Sequence, residues 1–191
     1  MKVLLASALV LASFGLAPSN EHAISIQQRG APSVQQKITT FLWFDQNAEE
    51  AVRFYTSIFK DSKILEENRW GAGAPVPEGT LMSARIRLAG QELIAFNGGP
   101  TFKFTEAISL VVQCQTQKEV DEYWAKLTDG GQEVECGWLK DRYGLSWQIV
   151  PTVLLELLRD KDAGKRQRVM QAMLQMRKLD VDALKRAADG R

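Results

Sequence analysis

Apolar positions along this chain follow two rhythms, and the switch from one to the other occurs twice in the same order. Ile38 to Phe44 reads as a strand, and Asn47 to Phe59 then places Ala48, Ala51, Val52, Tyr55, Ile58 and Phe59 at helical spacing. About seventy residues later, Ile108 to Cys114 is again strand-like, and Thr116 to Leu127 carries the stripe Val120, Tyr123, Trp124 and Leu127. Each helix opens on a capping-box pattern, Asn47 with Glu50 and Thr116 with Glu119.

Each copy then breaks into short runs separated by turns. In the first, Ser62 to Trp70, Thr80 to Leu88 and Gln91 to Phe96 read as strands, and Asn97-Gly98-Gly99-Pro100 closes the unit. In the second, Glu133 to Leu139 and Leu145 to Val150 flank the turn Lys140-Asp141-Arg142-Tyr143-Gly144, and Pro151 stops the last strand. Beyond it the rhythm is helical: Val153 to Leu158, Arg166 to Leu179, and Val181 to Ala188 behind an Asp180 cap. Paired strand–helix–strand units of this kind curve into a sheet with helices outside and a concave inside, so an α+β fold is expected.

The first residues add a segment outside that duplication. Lys2 followed by the apolar run Val3 to Leu16 has the form of an export signal, too short to span a bilayer comfortably. The expected organisation is a signal peptide at 1–19, a linker at 20–36, the duplicated domain at 37–151 and a helical extension at 152–191. A genuine leader implies a periplasmic or secreted protein with no membrane attachment once it is removed; otherwise the protein is cytoplasmic.

Composition narrows the chemistry. Twenty-four basic and twenty-three acidic side chains leave no global field to attract nucleic acid or an anionic membrane. From Arg159 to Arg191 ten Lys or Arg face five Asp, which reads as solvated helix faces. The single histidine, His22, falls in the expected linker, so a mature domain lacks His-based acid–base groups, triads and ligands. Cys114 and Cys136 lack metal-site spacing, and Cys114 sits in an apolar strand. Gly71-Ala72-Gly73 leads into prolines and Gly98-Gly99 into Pro100, so neither opens a helix as a phosphate cradle does.

Phe41-Leu42-Trp43-Phe44-Asp45, Ala48-Glu49-Glu50-Ala51, Phe54-Tyr55, Ser57-Ile58-Phe59, Asn97-Gly98-Gly99-Pro100, Phe104-Thr105-Glu106-Ala107, Cys136-Gly137-Trp138-Leu139-Lys140-Asp141 and Gly144-Leu145-Ser146-Trp147-Gln148-Ile149-Val150-Pro151 resemble the PhnB-like proteins. That group belongs to the vicinal oxygen chelate superfamily, and its members often carry the label 3-demethylubiquinone-9 3-methyltransferase. The resemblance implies two βαβββ modules forming a curved, mostly antiparallel sheet with outer helices. It also implies a metal site on the first and last strands of each module in the superfamily's metalloenzymes. The corresponding positions are Thr39, Ile94, Ser109 and Gln148, of which only Gln148 is a usual ligand type.

A metal-free protein without cofactor is therefore the leading expectation, holding an unidentified small molecule in an aromatic-lined concavity. Strand alternation puts Thr39, Phe41 and Trp43 on one face, Ser109 and Gln113 on its counterpart, and Ser146 and Gln148 on the last strand. The competing reading is a divalent-metal lyase or dioxygenase of the same superfamily. Methyl transfer is not expected, because no Gly-rich loop with an acidic ribose clamp is visible. The stripe Val169, Met173 and Met176, with Phe102 and Phe104, marks an expected homodimer surface.

Overall fold

The computed structural model describes residues 36–191. The expected leader and nearly all of the expected linker lie outside the described residues. The first module runs β1 (Thr40–Phe44), α1 (Ala48–Ile58), β2 (Lys63–Arg69), β3 (Leu81–Leu88) and β4 (Gln91–Asn97). The second runs β5 (Ser109–Cys114), α2 (Gln117–Thr128), β6 (Gln132–Glu133), β7 (Trp138–Lys140) and β8 (Ser146–Pro151). The extension forms α3 (Thr152–Leu157), α4 (Ala163–Leu174) and α5 (Val181–Ala188).

Each module makes its own four-stranded mixed sheet, ordered β1-β4-β3-β2 and β5-β8-β7-β6. The first strand of each module pairs in parallel with the last, and the returning meander is antiparallel. The duplicated βαβββ architecture is thus present in both halves, with two separate sheets.

α1 keeps an exposed face at Glu50, Arg53 and Ser57, and its buried face joins both modules. Leu42, Phe44, Ile86 and Leu93 of the first sheet, Ala51, Val52 and Tyr55 of α1, and Leu139, Trp147 and Ile149 of the second sheet share one buried core. α1 packs on β3 and β4 and on its other side reaches the second module. The helix-bearing faces of the two sheets are therefore joined, because the stripe on α1 is wide enough to serve both.

The joint is polar at its centre. Asp141 is 3% exposed. Its Oδ2 accepts hydrogen bonds from the Tyr55 hydroxyl at 2.7 Å and Trp147 Nε1 at 2.8 Å. Its Oδ1 accepts from the backbone N–H groups of Tyr143 at 2.9 Å and Leu145 at 3.1 Å. Burial pushes this carboxyl above the usual aspartate range, and the four donors work against that push.

Local details differ from the pattern in three places. Asn47 makes no side-chain cap; Asn97 Oδ1 instead accepts from Ala48 N at 2.8 Å, while Asn97 Nδ2 donates to the Leu81 carbonyl. The second capping box does form, with Thr116 Oγ1 accepting from Glu119 N and the Glu119 carboxylate accepting from Gln115 N. The expected strand at Glu133 to Leu139 splits into β6 and β7, because Cys136 and Gly137 both adopt positive φ.

The third difference concerns the tail. α4 stops at Leu174, and the Met176 and Arg177 carbonyls accept from Cys136 and Gly137 N–H at 2.7 Å each. Val169 is fully buried with Val150, Leu154, Leu179 and Leu184, and Met173 and Met176 pack against that cluster. The methionine stripe is consequently covered within the chain, and α4 exposes Met170 and Leu174 instead. No described helix is long and apolar enough to cross a membrane.

Two outcomes test this account. Asp141→Asn turns an acceptor of four donors into a group with an N–H₂ facing some of them. It should cost about 2–4 kcal/mol by chemical denaturation, and a loss under half a kcal/mol would refute the joint. The second concerns Glu49, which ties the first turn of α1 to Arg69 of β2 at 2.9 Å and to Arg53. The two guanidiniums, Arg69 first, hold its carboxyl down to about 2. Its contribution is present above the usual glutamate range and is lost as pH falls towards 2. The gap in thermal midpoint between the native chain and Glu49→Gln should be open at pH 7 and narrow steadily on acidification.

Candidate functional site

The inner seam between the sheets is not filled along its whole length. A cleft of about 590 Å³ opens between the β3–β4 hairpin and β5. Leu88 and Leu93 form the first-sheet wall, and Leu110 and Val112 the wall opposite. Phe59, Tyr123 and Trp147 also line it. The Phe59 ring stacks against Tyr123 at 5.1 Å and against Trp147 at 5.4 Å, both at an interplanar angle of 22°. The stacked rings, with Phe59 and Trp147 largely buried, give the cleft a rigid aromatic backing.

The polar side chains along the cleft, besides the Tyr123 hydroxyl and the Trp147 indole, are few: Thr40, Gln91, Ser109, Gln113 and Glu119. Burial, followed by the negative field of Glu119, pushes the Tyr123 phenol above the ordinary tyrosine range, so it stays a neutral hydroxyl. Cys114 is inert for a similar reason, its thiol pushed up to about 12 by burial. Mostly apolar walls with a small number of placed hydrogen-bonding groups are the usual make-up of a small-molecule site.

The seven residues singled out from sequence divide between two sheets. Ser109 and Gln113 line the cleft. Gln148 Nε2 donates to Ser109 Oγ at 2.9 Å, so a second-module polar pair forms. Ser146 lies opposite Ser109 in the ladder, fully buried, with an Oγ that has no partner.

Phe41 and Trp43 belong to β1 of the other sheet and Thr39 immediately precedes it; none of the three lines the cleft, although Thr40 does. Phe41 is 53% exposed and touches Phe96 with ring centroids 5.5 Å apart. Trp43 lies 5.2 Å from Phe96 and 5.0 Å from Phe102, and its Nε1 donates to the Gly99 carbonyl at 2.9 Å. Gly98 is required beneath it, since an added Cβ would come within 2.2 Å of the indole.

The aromatic floor and Asp141 were not singled out from sequence. Phe59 and Tyr123 read there as ordinary helix stripes, and Trp147 as one residue of a strand. The available signal was the single carboxylate in the turn–strand run Asp141 to Pro151, since such a group needs donors if the strand is buried.

The family described as 3-demethylubiquinone-9 3-methyltransferase matches residues 36–150. A putative 3-demethylubiquinone-9 3-methyltransferase, a PhnB protein from Bacillus cereus, is 41% identical, with a TM-score of 0.57. That similarity covers 61% of this chain and 99% of the Bacillus chain. A Pseudomonas aeruginosa protein, 20% identical with a TM-score of 0.52, covers 61% and 97%. The fosfomycin resistance protein FosX from Listeria monocytogenes, 16% identical with a TM-score of 0.50, covers 66% and 99%. The last two share the fold. No curated protein matches the chain.

Proposed function

We propose that this chain, which belongs to the family described as 3-demethylubiquinone-9 3-methyltransferase within the vicinal oxygen chelate superfamily, binds a small flat apolar molecule between its two sheets without a metal. The observation that carries this reading is the cleft of about 590 Å³ backed by stacked Phe59, Tyr123 and Trp147. Ser109 and Gln113 supply hydrogen bonds to a carbonyl or hydroxyl at its edge.

The family name carries methyl transfer, and the residues give it little support. In the Asn97-Gly98-Gly99-Pro100 loop the Gly98 and Gly99 N–H groups are spent on the Phe44 and Asp45 carbonyls, at 2.9 Å each. They cannot also cradle a cofactor.

The superfamily's metal does not fit the donor set either. Thr39 precedes β1 and Ile94 lies on β4 of the first sheet, Ser109 and Gln148 lie on the second, and the last two are bonded to each other. The carboxylate that shares a strand face with Ile94 is Glu92, which accepts from Arg87 at 2.6 Å. That guanidinium holds its carboxyl below the usual glutamate range. Among the described residues no three His, Cys, Asp or Glu side chains converge.

The partner in this reading is a second copy of the chain. β1 and β5 each pair on one side only, and their sequences, TFLWF and SLVVQC, carry no charge and no proline. Phe41 and Val111 stand 53% and 54% exposed on them. Open apolar edges of this kind are ordinarily covered.

Binding of an anilinonaphthalene sulfonate dye tests the site. Val112→Phe narrows the cleft and should weaken the dye at least about tenfold, whereas Phe41→Ser should leave it unchanged. The opposite order would move the site to the outer face. Light scattering tests the partner: the native chain should have twice the mass of one chain, and Val111→Lys should be monomeric. A monomeric native chain, or a dimeric variant, contradicts the edge pairing.

A further inference from the structure

The cleft between the sheets is lined by a single charged side chain. Thr40, Gln91, Ser109 and Gln113 are neutral, most of the other lining groups are apolar or aromatic, and Glu119 alone carries a charge. Its place on α2 is fixed by the cap: Oε2 accepts from the Gln115 N–H at 2.6 Å, while the Glu119 N–H donates to Thr116 Oγ1 at 3.2 Å. Tyr123 follows four residues later, so the carboxylate and one end of the aromatic stack share a wall of the cleft. After burial, it is the field of Glu119 that raises the Tyr123 phenol and the Cys114 thiol.

No cation of the protein answers this carboxylate. Among the described residues Glu119 makes no ion pair, and the neighbouring cations are drawn elsewhere. Lys118 faces Glu122, Lys178 bonds to Asp121, and Arg87 on the hairpin wall bonds to Glu92. The capping bond occupies Oε2 and leaves Oε1 with no hydrogen bond from these residues. Half-buried beside apolar walls, such a group repels an anion and attracts a cation more strongly than it would in open water.

The walls decide what kind of cation fits. One carboxylate among neutral groups cannot replace the water of a metal ion, and no three His, Cys, Asp or Glu side chains converge among the described residues. An apolar ring system bearing one protonated nitrogen keeps its body against Leu88, Leu93, Leu110 and Val112. Its N–H then makes a charge-assisted bond at the carboxylate.

On the footing that the cleft is the binding site, we infer that its ligand is a flat aromatic amine held in its protonated form, with the nitrogen on Glu119. That side chain sets the preference for cations over anions.

Fluorescence titration with 9-aminoacridine, a flat cation, and anthracene-9-carboxylate, an anion on a frame of the same size, is the test. The native chain should bind the cation about tenfold more tightly. That ratio should fall at least about threefold in Glu119→Gln, whose amide oxygen can still accept from Gln115. Glu122→Gln removes a charge from the exposed side of the same helix and should leave the ratio unchanged. Equal affinity of the native chain for both dyes, a ratio indifferent to Glu119→Gln, or the same fall in Glu122→Gln would each overturn the inference, the first without any variant. Val112→Phe should weaken both dyes. Binding of neither dye, or no weakening in Val112→Phe, would overturn the cleft as the site, and the choice of ligand with it.

Discussion

A single buried carboxylate sets the geometry of this protein. Asp141 draws the Tyr55 hydroxyl from α1 of the first module and the Trp147 indole from β8 of the second onto one oxygen. Its other oxygen closes its own turn through Tyr143 and Leu145. A buried charge is tolerated when every lone pair it offers meets a donor, and this one meets four. The arrangement leaves little freedom in how the modules face each other. The joint ties the helix-bearing faces into one core, and the cleft lies beside β5.

The same constraint explains why the strand faces opposite the helices remain open. With both helix-bearing faces committed to the shared core, Phe41, Trp43 and Phe96 on the first sheet have only one another and Phe102 to pack against. On the second sheet the Gln148–Ser109 pair holds the equivalent place. The C-terminal helices cover one end of that module. Their cluster packs Val150 against Leu154 and Leu179, and Gly137 is needed where Leu179 and the Ile149 carbonyl approach within 2.9 Å of where a Cβ would sit. These helices lie outside the residues that the family matches, 36–150.

Much of the fold was legible because it is local. Apolar alternation and helical spacing gave the strands and both module helices, and Thr116 with Glu119 capped α2 as its pattern indicated. What failed depended on contacts far along the chain. Asn47 looks like a cap in sequence, but Asn97, which closes β4, reaches Ala48 N first. The stripe Val169, Met173 and Met176 looks unpartnered until α5 and the end of β8 fold over it. The candidate site was half legible for the same reason. Alternation put Ser109 and Gln113 on one face of β5, where both line the cleft, but it could not tell that Phe41 and Trp43 would belong to a different face from the cleft. Nothing in a helix stripe distinguishes Phe59 or Tyr123 as a floor from any other buried ring.

The central claim is that the module interface, and not the superfamily's metal positions, holds the ligand. The most direct measurement is a crystal structure of the protein purified from its own host without chelators. The account predicts density for a flat organic molecule against Phe59, Tyr123 and Trp147, within reach of Ser109 or Gln113. Density for a metal ion coordinated by Gln148 and Ser109, with the cleft holding only water, would contradict it.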